Sequence, residues 1–147
     1  MCLKRIQKVK LHKDKHGNVV LWKVVKKLGK GHYATGFCGS GDVTHIYDGE
    51  TWVEGYPNKH WTAGQQDSHK PGSHCCTTKK EAIKLFELRQ GQHVRPVQDL
   101  RVIRVLVKPE HIIVTGLTHW MFQWASEAFD SQTAVVSEFD YSREVTL

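Results

Sequence analysis

The sequence lacks any apolar run that could form a membrane-spanning helix. No stretch of its 147 residues approaches the ~18 consecutive apolar residues that such a helix needs. The opening Met-Cys-Leu-Lys-Arg-Ile is not followed by the apolar core of a secretory signal. We therefore expect a cytoplasmic protein with no membrane partner, located in the host cytoplasm if a phage encodes it.

Cysteine is scarce, and its spacing argues against a disulfide framework. The four cysteines are Cys2, Cys38, Cys75 and Cys76, and no Cys-x-x-Cys pair is present. If Cys75 and Cys76 lie in a strand, their side chains point to opposite faces. This pattern is typical of a protein kept in a reducing compartment.

The glycine-rich motifs that hold phosphates in nucleotide-binding folds are also missing. Gly36, Gly39 and Gly41 have the wrong spacing for a Walker loop and for G-x-G-x-x-G. We predict no cofactor.

What is present fits a single folded domain spanning residues 1–147. Apolar residues make up 39% of the chain and charged residues 24%, with 5 Trp, 4 Tyr and 5 Phe. This composition excludes a disordered, collagen-like or coiled-coil chain. A chain of this size can bury about 68–70% of its unfolded surface, so a real core is available.

The net charge of +6 is unevenly distributed along the chain. Residues 1–30 hold ten Lys/Arg and one acid, Asp14, whereas residues 110–147 hold six acids and one Lys/Arg, Arg143. A basic amino-terminal edge is typical of a protein that binds an anionic nucleotide or nucleic acid. A solvated surface with no ligand gives the same pattern.

Residues 1–28 predict a basic β-hairpin. The alternation of residues 3–12 predicts a strand, Asp14-Lys-His-Gly-Asn18 indicates a turn, and residues 19–27 predict a second, more buried strand. Three lysines share one face of the first strand: Lys4, Lys8 and Lys10.

The rest of the chain divides into a loop region and a core. Residues 32–71 are rich in Gly and aromatics, and predict short strands at 43–47 and 51–53 and a long loop at 56–72. Residues 72–147 predict a strand–helix–strand core. In that core, Thr78 and Glu81 form a capping box that starts a helix after a short strand at 72–76.

Two further strands are predicted at 101–108 and 133–145. Residues 117–129 have apolar side chains at helical spacing and suggest a second helix, although Gly116 and the aromatic density leave this segment ambiguous. The predicted fold class is α+β: a mixed, mainly antiparallel sheet of about six strands with one or two helices packed on it. Whether the protein forms a homo-oligomer stays open.

Ten histidines raise the question of a metal site. The densest group is His69, His74, Cys75 and Cys76, but adjacent cysteines in a strand do not converge on one ion, and we predict no metal. His60-Trp-Thr62 resembles half of the paired His-x-Thr motif of two-histidine phosphoesterases, whereas Thr118-His119 has the reverse order.

Aromatic residues interleaved with Lys and His are candidates for stacking on nucleobases while lysines hold phosphate. The competing interpretation is that these aromatics fill the core. The candidate ligand-binding residues are Lys4, Lys8, Lys10, Lys23, Tyr47, Trp52, Trp61 and His74.

The order of elements, from an opening strand with Trp22 to a closing strand with Glu138, resembles the ADP-ribosyltransferase core. In that family a first-strand Arg or His binds NAD, and a late-strand Glu stabilises an oxocarbenium-like transition state. The resemblance implies a catalytic role for Glu138 only, because Lys23 stands at the Arg/His position and no Ser-Thr-Ser segment is present. The alternative is that Glu138, Asp140 and Glu144 form a solvated acidic strand face.

The carboxy-terminal half is similar to small domains of unknown function common in phage and bacterial genomes. The similarity rests on GSHCCTTKKEAIKLF at residues 72–86, the strand at 102–107 and VVSEFDYSREV at 135–145. It implies a small phage- or bacterial-type accessory protein. Three functions stay open: binding of an anionic nucleotide or nucleic acid, an intact or degenerate ADP-ribosyltransferase-like activity, and a structural or protein-interaction role.

Overall fold

The structure is a computed structural model that describes residues 5–29, 32–35, 52–53, 60–62, 73–90, 99–121 and 128–147. Within these ranges the chain forms eleven β-strands and one α-helix, with a 3-10 turn at Pro109–His111. The strands are β1 (Arg5–Ile6), β2 (His12–Lys13), β3 (Val19–Gly29), β4 (His32–Thr35), β5 (Trp52–Val53), β6 (His60–Thr62), β7 (Ser73–Cys76), β8 (Leu100–Val107), β9 (Ile112–Met121), β10 (Ala128–Val136) and β11 (Glu138–Glu144); the helix is α1 (Lys79–Gln90).

The strands belong to one sheet, and every described pairing in it is antiparallel. Its main path runs β1-β9-β10-β7-β3-β8-β11-β6, while β2 and β4 pair with β3, and β5 pairs with β4. The predicted α+β class, a mainly antiparallel sheet with a helix packed on it, is confirmed. The sheet has more strands than the sequence patterns predicted, because strands of two to four residues are too short to show a period.

The centre of the sheet is the pair β3 and β8, both rich in β-branched residues that favour strands. Their register runs from Val19 opposite Val107 to Lys26 opposite Leu100. Successive side chains point to opposite faces of a sheet, and both faces of these strands are largely buried. The strands predicted at 19–27 and 101–108 are therefore confirmed.

Burial on both faces divides the interior into two cores. The core on the front face contains Val19, Leu21, Val25, Tyr33, Cys75, Ile103, Val105, Val107, Ala134, Val136 and Phe139. The core on the helix face, which includes residues of α1, contains Val24, Cys76, Ala82, Leu85, Leu100, Val102, Trp120 and Val145. Cys75 and Cys76 are not disulfide-bonded and lie in different cores, as the alternation of a strand predicts.

The predicted capping box at the start of α1 is confirmed. The Glu81 N–H donates to Thr78 Oγ1 at 3.2 Å, and the Thr78 hydroxyl donates to Glu81 Oε2 at 3.1 Å. The other carboxylate oxygen, Glu81 Oε1, accepts the Gln132 N–H at 3.2 Å. The cap therefore also fixes the start of the helix to β10.

A helix over residues 117–129 is wrong, because both ends of that segment are strands. Trp120 on β9 lies opposite Phe129 on β10. Thr118 and Trp120 are buried while His119 between them is exposed, which is the alternation of a strand. The pairing partner supplied by β10 decides the conformation, since aromatic and β-branched residues favour a strand where a neighbouring strand is available.

A single strand over residues 133–145 is also wrong. β10 ends at Val136 and β11 begins at Glu138, and the Ser137 N–H between them donates to the His111 carbonyl at 2.8 Å. The two strands lie in different parts of the sheet, separated by β7, β3 and β8. The chain therefore has to leave one strand before it enters the next.

Residues 3–12 likewise do not form one strand. β1 pairs with β9, β2 pairs with β3, and residues 7–11 between them form no strand. The hairpin around the predicted turn at residues 14–18 is confirmed, although its β2 arm has only two residues. In the middle region, β5 matches the strand predicted at 51–53. The loop predicted at 56–72 contains β6, and residues 43–47 lie outside the described ranges.

Candidate functional site

Residues 8–16, called the basic segment below, are held at both ends by the sheet. On the amino-terminal side, the Gln7 N–H donates to the Thr115 carbonyl at 3.1 Å, and the Thr115 hydroxyl donates to the Gln7 carbonyl at 2.7 Å. On the other side, His12 lies opposite Val20. The chain thus passes from β9 to β3, strands that are separated in the sheet by β10 and β7.

The basic segment presents its cationic side chains to solvent. Val9 and Leu11 are half-buried, and Leu11 packs against the front-face core. The residues between them and around the turn are exposed: Lys8, Lys10, His12, Lys13, Lys15 and His16. The predicted alternation, with Lys8 and Lys10 on an exposed side, is confirmed although the backbone here is not a continuous strand.

The single acid of the basic segment is engaged by the turn. Asp14 Oδ1 accepts the N–H groups of His16 and Asn18, each at 2.9 Å. The chain reverses at Gly17, whose φ of 81° is readily adopted only by glycine. Desolvation raises the pKa of the Asp14 carboxyl, but the bonds from Asn18 and His16 outweigh it and leave that pKa below its ordinary value. Asp14 is therefore ionised at neutral pH, and its charge is directed toward the turn backbone.

Two of the predicted ligand-binding residues, Lys23 and His74, lie together inside the sheet. Lys23 is 6% exposed, and its ammonium donates to the His74 carbonyl at 3.1 Å. Burial, followed by the positive charge of Lys23, lowers the pKa of His74 to about 4. His74 is thus neutral at pH 7, and this pair belongs to the interior rather than to the exposed basic segment.

The other predicted ligand-binding residues are located less completely. Lys4 and Tyr47 lie outside the described residues. Trp52 on β5 is opposite Tyr33, and Trp61 on β6 is opposite Phe139. β5 and β6 lie next to each other, so the two tryptophan positions come from neighbouring strands.

Glu138 and Lys23, the residues carried over from the ADP-ribosyltransferase comparison, are not brought together. The Glu138 carboxylate pairs with the His111 imidazole at the start of β11. Lys23 lies opposite Ile103, which in turn lies opposite Glu144 at the far end of β11. Six residue steps separate the two glutamates, roughly 20 Å along a strand.

Glu144 instead lies in a cluster that sequence reasoning missed, formed by Lys27, Tyr33, Arg101, Tyr141 and Glu144 and called the Glu144 cluster below. The Tyr33 hydroxyl donates to Glu144 Oε1 at 2.7 Å, and Lys27 Nζ donates to the same oxygen at 3.1 Å. Arg101 Nε lies 3.8 Å from Glu144 Oε2, and the Tyr33 and Tyr141 rings stack with centroids 6.0 Å apart. The cluster joins β3, β4, β8 and β11.

In the Glu144 cluster, the neighbouring groups keep the Glu144 carboxylate ionised and the buried Tyr33 hydroxyl neutral. The hydrogen bond from Tyr33 lowers the pKa of the Glu144 carboxyl. Desolvation acts to raise that pKa, and Lys27 lowers it further. Burial, followed by the bond to Glu144, raises the pKa of Tyr33. Tyr141 and Glu144 are three residues apart, so a regular strand would place their side chains on opposite faces. A register irregularity between Tyr141 and Arg143 brings both side chains into one cluster. The period of the sequence therefore gave no signal of this cluster.

The described residues contain neither a group placed to hold a metal ion nor a membrane-spanning helix. No three His, Cys, Asp or Glu side chains among them are placed to hold a metal ion. Nor does the described part of the chain contain a helix long and apolar enough to cross a membrane. Both buried thiols belong to the cores, where burial raises the pKa of Cys76 and keeps it protonated.

Comparison with protein-family models, with curated proteins and with solved structures finds no match to this chain. Its function is therefore argued from its own residues. Of the groups described above, the basic segment alone combines several exposed like charges with a backbone fixed at both ends. We take it as the candidate site.

Proposed function

We propose that this chain is a small accessory protein of phage or bacterial type that acts in the cytoplasm and binds an anionic nucleotide or nucleic acid through the basic segment. The observation that carries the proposal is the exposure of four lysines within eight residues, beside an acid already engaged by its turn. Clustered like charges of this kind attract polyanions from solution and hold them by releasing counterions.

The anchoring of the segment supports binding as well as attraction. The bonds between Gln7 and Thr115, the β2 pairing and the packing of Leu11 hold the backbone in place before any ligand arrives. Less ordering entropy then has to be lost on binding. Alternate residues in an extended chain are roughly 6.5–7 Å apart, so several ammonium groups can meet a polymer of phosphates at once.

The test is a fluorescence-anisotropy titration of labelled nucleic acid at several salt concentrations. The variant carries four substitutions: Lys8→Gln, Lys10→Gln, Lys13→Gln and Lys15→Gln. We expect the slope of log K against log salt to fall by up to about 3 units for single strands and up to about 3.6 units for duplex DNA. The control removes two charges elsewhere, Lys26→Gln with Arg143→Gln, and should keep the slope of the wild type.

Other outcomes separate the remaining functions. If the protein binds mononucleotides but no polymer, and if this binding depends only weakly on salt, the ligand is a small nucleotide rather than a nucleic acid. No binding of any nucleic acid by the wild type, even at low salt, would remove nucleic acid and leave an acidic protein as the partner of the same lysines. The separation of Lys23 from Glu138 does not support the ADP-ribosyltransferase-like activity as a second candidate.

A further inference from the structure

A groove lies between the first two turns of α1 and strand β10, on the helix face of the sheet. Its volume is about 370 Å³, within the range of about 300–1,000 Å³ that small-molecule sites occupy. Six residues line it: Thr78, Lys80, Glu81, Lys84, Phe129 and Gln132.

The charge available in this groove is positive. Lys80 and Lys84 are exposed, and Lys84 Nζ lies 5.2 Å from the centroid of the Phe129 ring. The one acid in the lining, Glu81, is engaged through both oxygens, by the Thr78 hydroxyl and by the Gln132 N–H. The groove therefore combines two ammonium groups with a half-buried aromatic ring, a pair of features suited to a phosphate and a base.

The strand that leads into α1 and the β2 arm of the basic segment pair with the same edge of β3. Cys76 lies opposite Trp22 and His12 lies opposite Val20, both along the edge of β3 that does not pair with β8. These β3 positions are two residues apart, roughly 7 Å along the strand. α1 begins three residues after Cys76, so the chain enters the helix from the same edge of β3 with which His12 pairs.

We propose that the ligand is a single-stranded nucleic acid that runs from the basic segment across the start of α1 and places one nucleotide in this groove. Lys80 and Lys84 hold its phosphate, and its base packs against the Phe129 ring in place of the Lys84 ammonium. An unpaired base can reach an aromatic side chain, whereas a duplex keeps its bases stacked inside. This inference rests on the proposed function and specifies the class of its ligand.

The first experiment removes the phosphate contacts without touching the core. The wild type, Lys80→Gln with Lys84→Gln, and the control Lys26→Gln with Arg143→Gln are titrated into labelled oligothymidylate of about 12 nucleotides at several salt concentrations. We expect the groove variant to lower the salt slope by about 1.4 units, which is two phosphate contacts on a single strand. The control should leave the slope unchanged.

The second experiment tests the base contact. Phe129→Leu keeps an apolar side chain against the helix-face core but removes the ring. Affinity for oligothymidylate should fall by about fivefold to 150-fold, because stacking one base on an aromatic ring contributes about that factor. Binding of inorganic polyphosphate should not change, and a cooperative thermal unfolding transition shows that the variant is folded. If Phe129→Leu does not fold, the Lys80 and Lys84 variant decides the question.

The outcomes separate this inference from the function on which it rests. If the wild type binds no polyanion, the proposed function fails. If the wild type binds oligothymidylate and the groove variants match it, the proposed function stands and the groove inference is overturned. Binding of duplex as tightly as single strand, with no loss in Phe129→Leu, overturns it as well.

Discussion

In the basic segment, exposed lysines and histidines surround one acid that is tied to a turn, whereas in the Glu144 cluster two cations and a buried phenol converge on one carboxylate. Both regions contain lysines and a carboxylate. In the cluster these charges satisfy one another and join four strands. In the basic segment the lysines are directed to solvent and available to a ligand. Composition alone therefore does not tell a binding surface from a structural one.

The same contrast separates the two kinds of predicted ligand residue. Lys8 and Lys10 are exposed, but Lys23 is nearly buried and donates to the His74 carbonyl. A charge enclosed in a sheet affects stability, while a charge on an anchored surface affects binding. Four measurements test this division, beginning with the enclosed groups.

The largest expected effect is the loss of stability in acid through His74. Its folded pKa is about 4, below the ordinary value of about 6.5, so the unfolded chain takes up the proton first as pH falls. Its contribution is fully present above about pH 6.5 and is lost between about pH 6.5 and 4, up to about 3 kcal/mol. Urea unfolding of the wild type and of His74→Gln across this range measures it. Equal pH dependence of the two proteins would show that His74 is not enclosed.

Removing the centre of the Glu144 cluster should have the next largest effect. Glu144→Ala removes the carboxylate that accepts the hydrogen bond of the Tyr33 hydroxyl, and Tyr33 is only 1% exposed. We expect a loss of about 2 kcal/mol in the free energy of unfolding, with the more exposed partners Lys27 and Arg101 contributing little of it. Polyanion binding should be unchanged. A stability loss below about 0.5 kcal/mol would mean that the cluster does not join the strands energetically.

The cap of α1 should have an intermediate effect. Thr78→Ala removes the hydroxyl that accepts the Glu81 N–H and should cost about 0.5–2 kcal/mol. Thr78→Ser keeps the hydroxyl and serves as the control in the same thermal or urea unfolding measurement. Equal stability of all three proteins would place the start of the helix elsewhere.

The smallest effect on stability should come from the basic segment. Lys8→Gln and Lys10→Gln should each change the free energy of unfolding by less than about 0.5 kcal/mol, because both side chains are exposed. The same substitutions should weaken nucleic-acid binding steeply at low salt. A large stability loss with unchanged binding would reverse the assignment of the two regions.

Much of the fold was predictable because it follows from short-range patterns. The strands at 19–27 and 101–108 are apolar runs rich in valine. The turn at 14–18 contains Asp, Gly and Asn at suitable positions, and the Thr78–Glu81 pair marks the start of α1. The exposure of Lys8 and Lys10 also followed from alternation. In each case the deciding residues are within a few positions of one another.

The incorrect predictions all depend on partners distant in the sequence. Residues 117–129 have helical spacing, yet Trp120 donates to Ser131 across a strand pair at 2.9 Å. Residues 3–12 divide because β1 pairs with β9 and β2 pairs with β3. No local pattern of either segment specifies which strand will lie beside it.

The sequence by itself determined the charge asymmetry, the basic turn, the two central strands, the capped helix and the division of Cys75 and Cys76 between two faces, since these depend on composition and on neighbouring residues. Only the tertiary structure decided that Lys23 is buried, that Glu144 rather than Glu138 contacts the tyrosines, and that β2 pairs with the same edge of β3 as β7, the strand that leads into α1. These features arise from strand order and from a register irregularity in β11. Both are set by packing between segments far apart in the chain, which local periodicity does not specify.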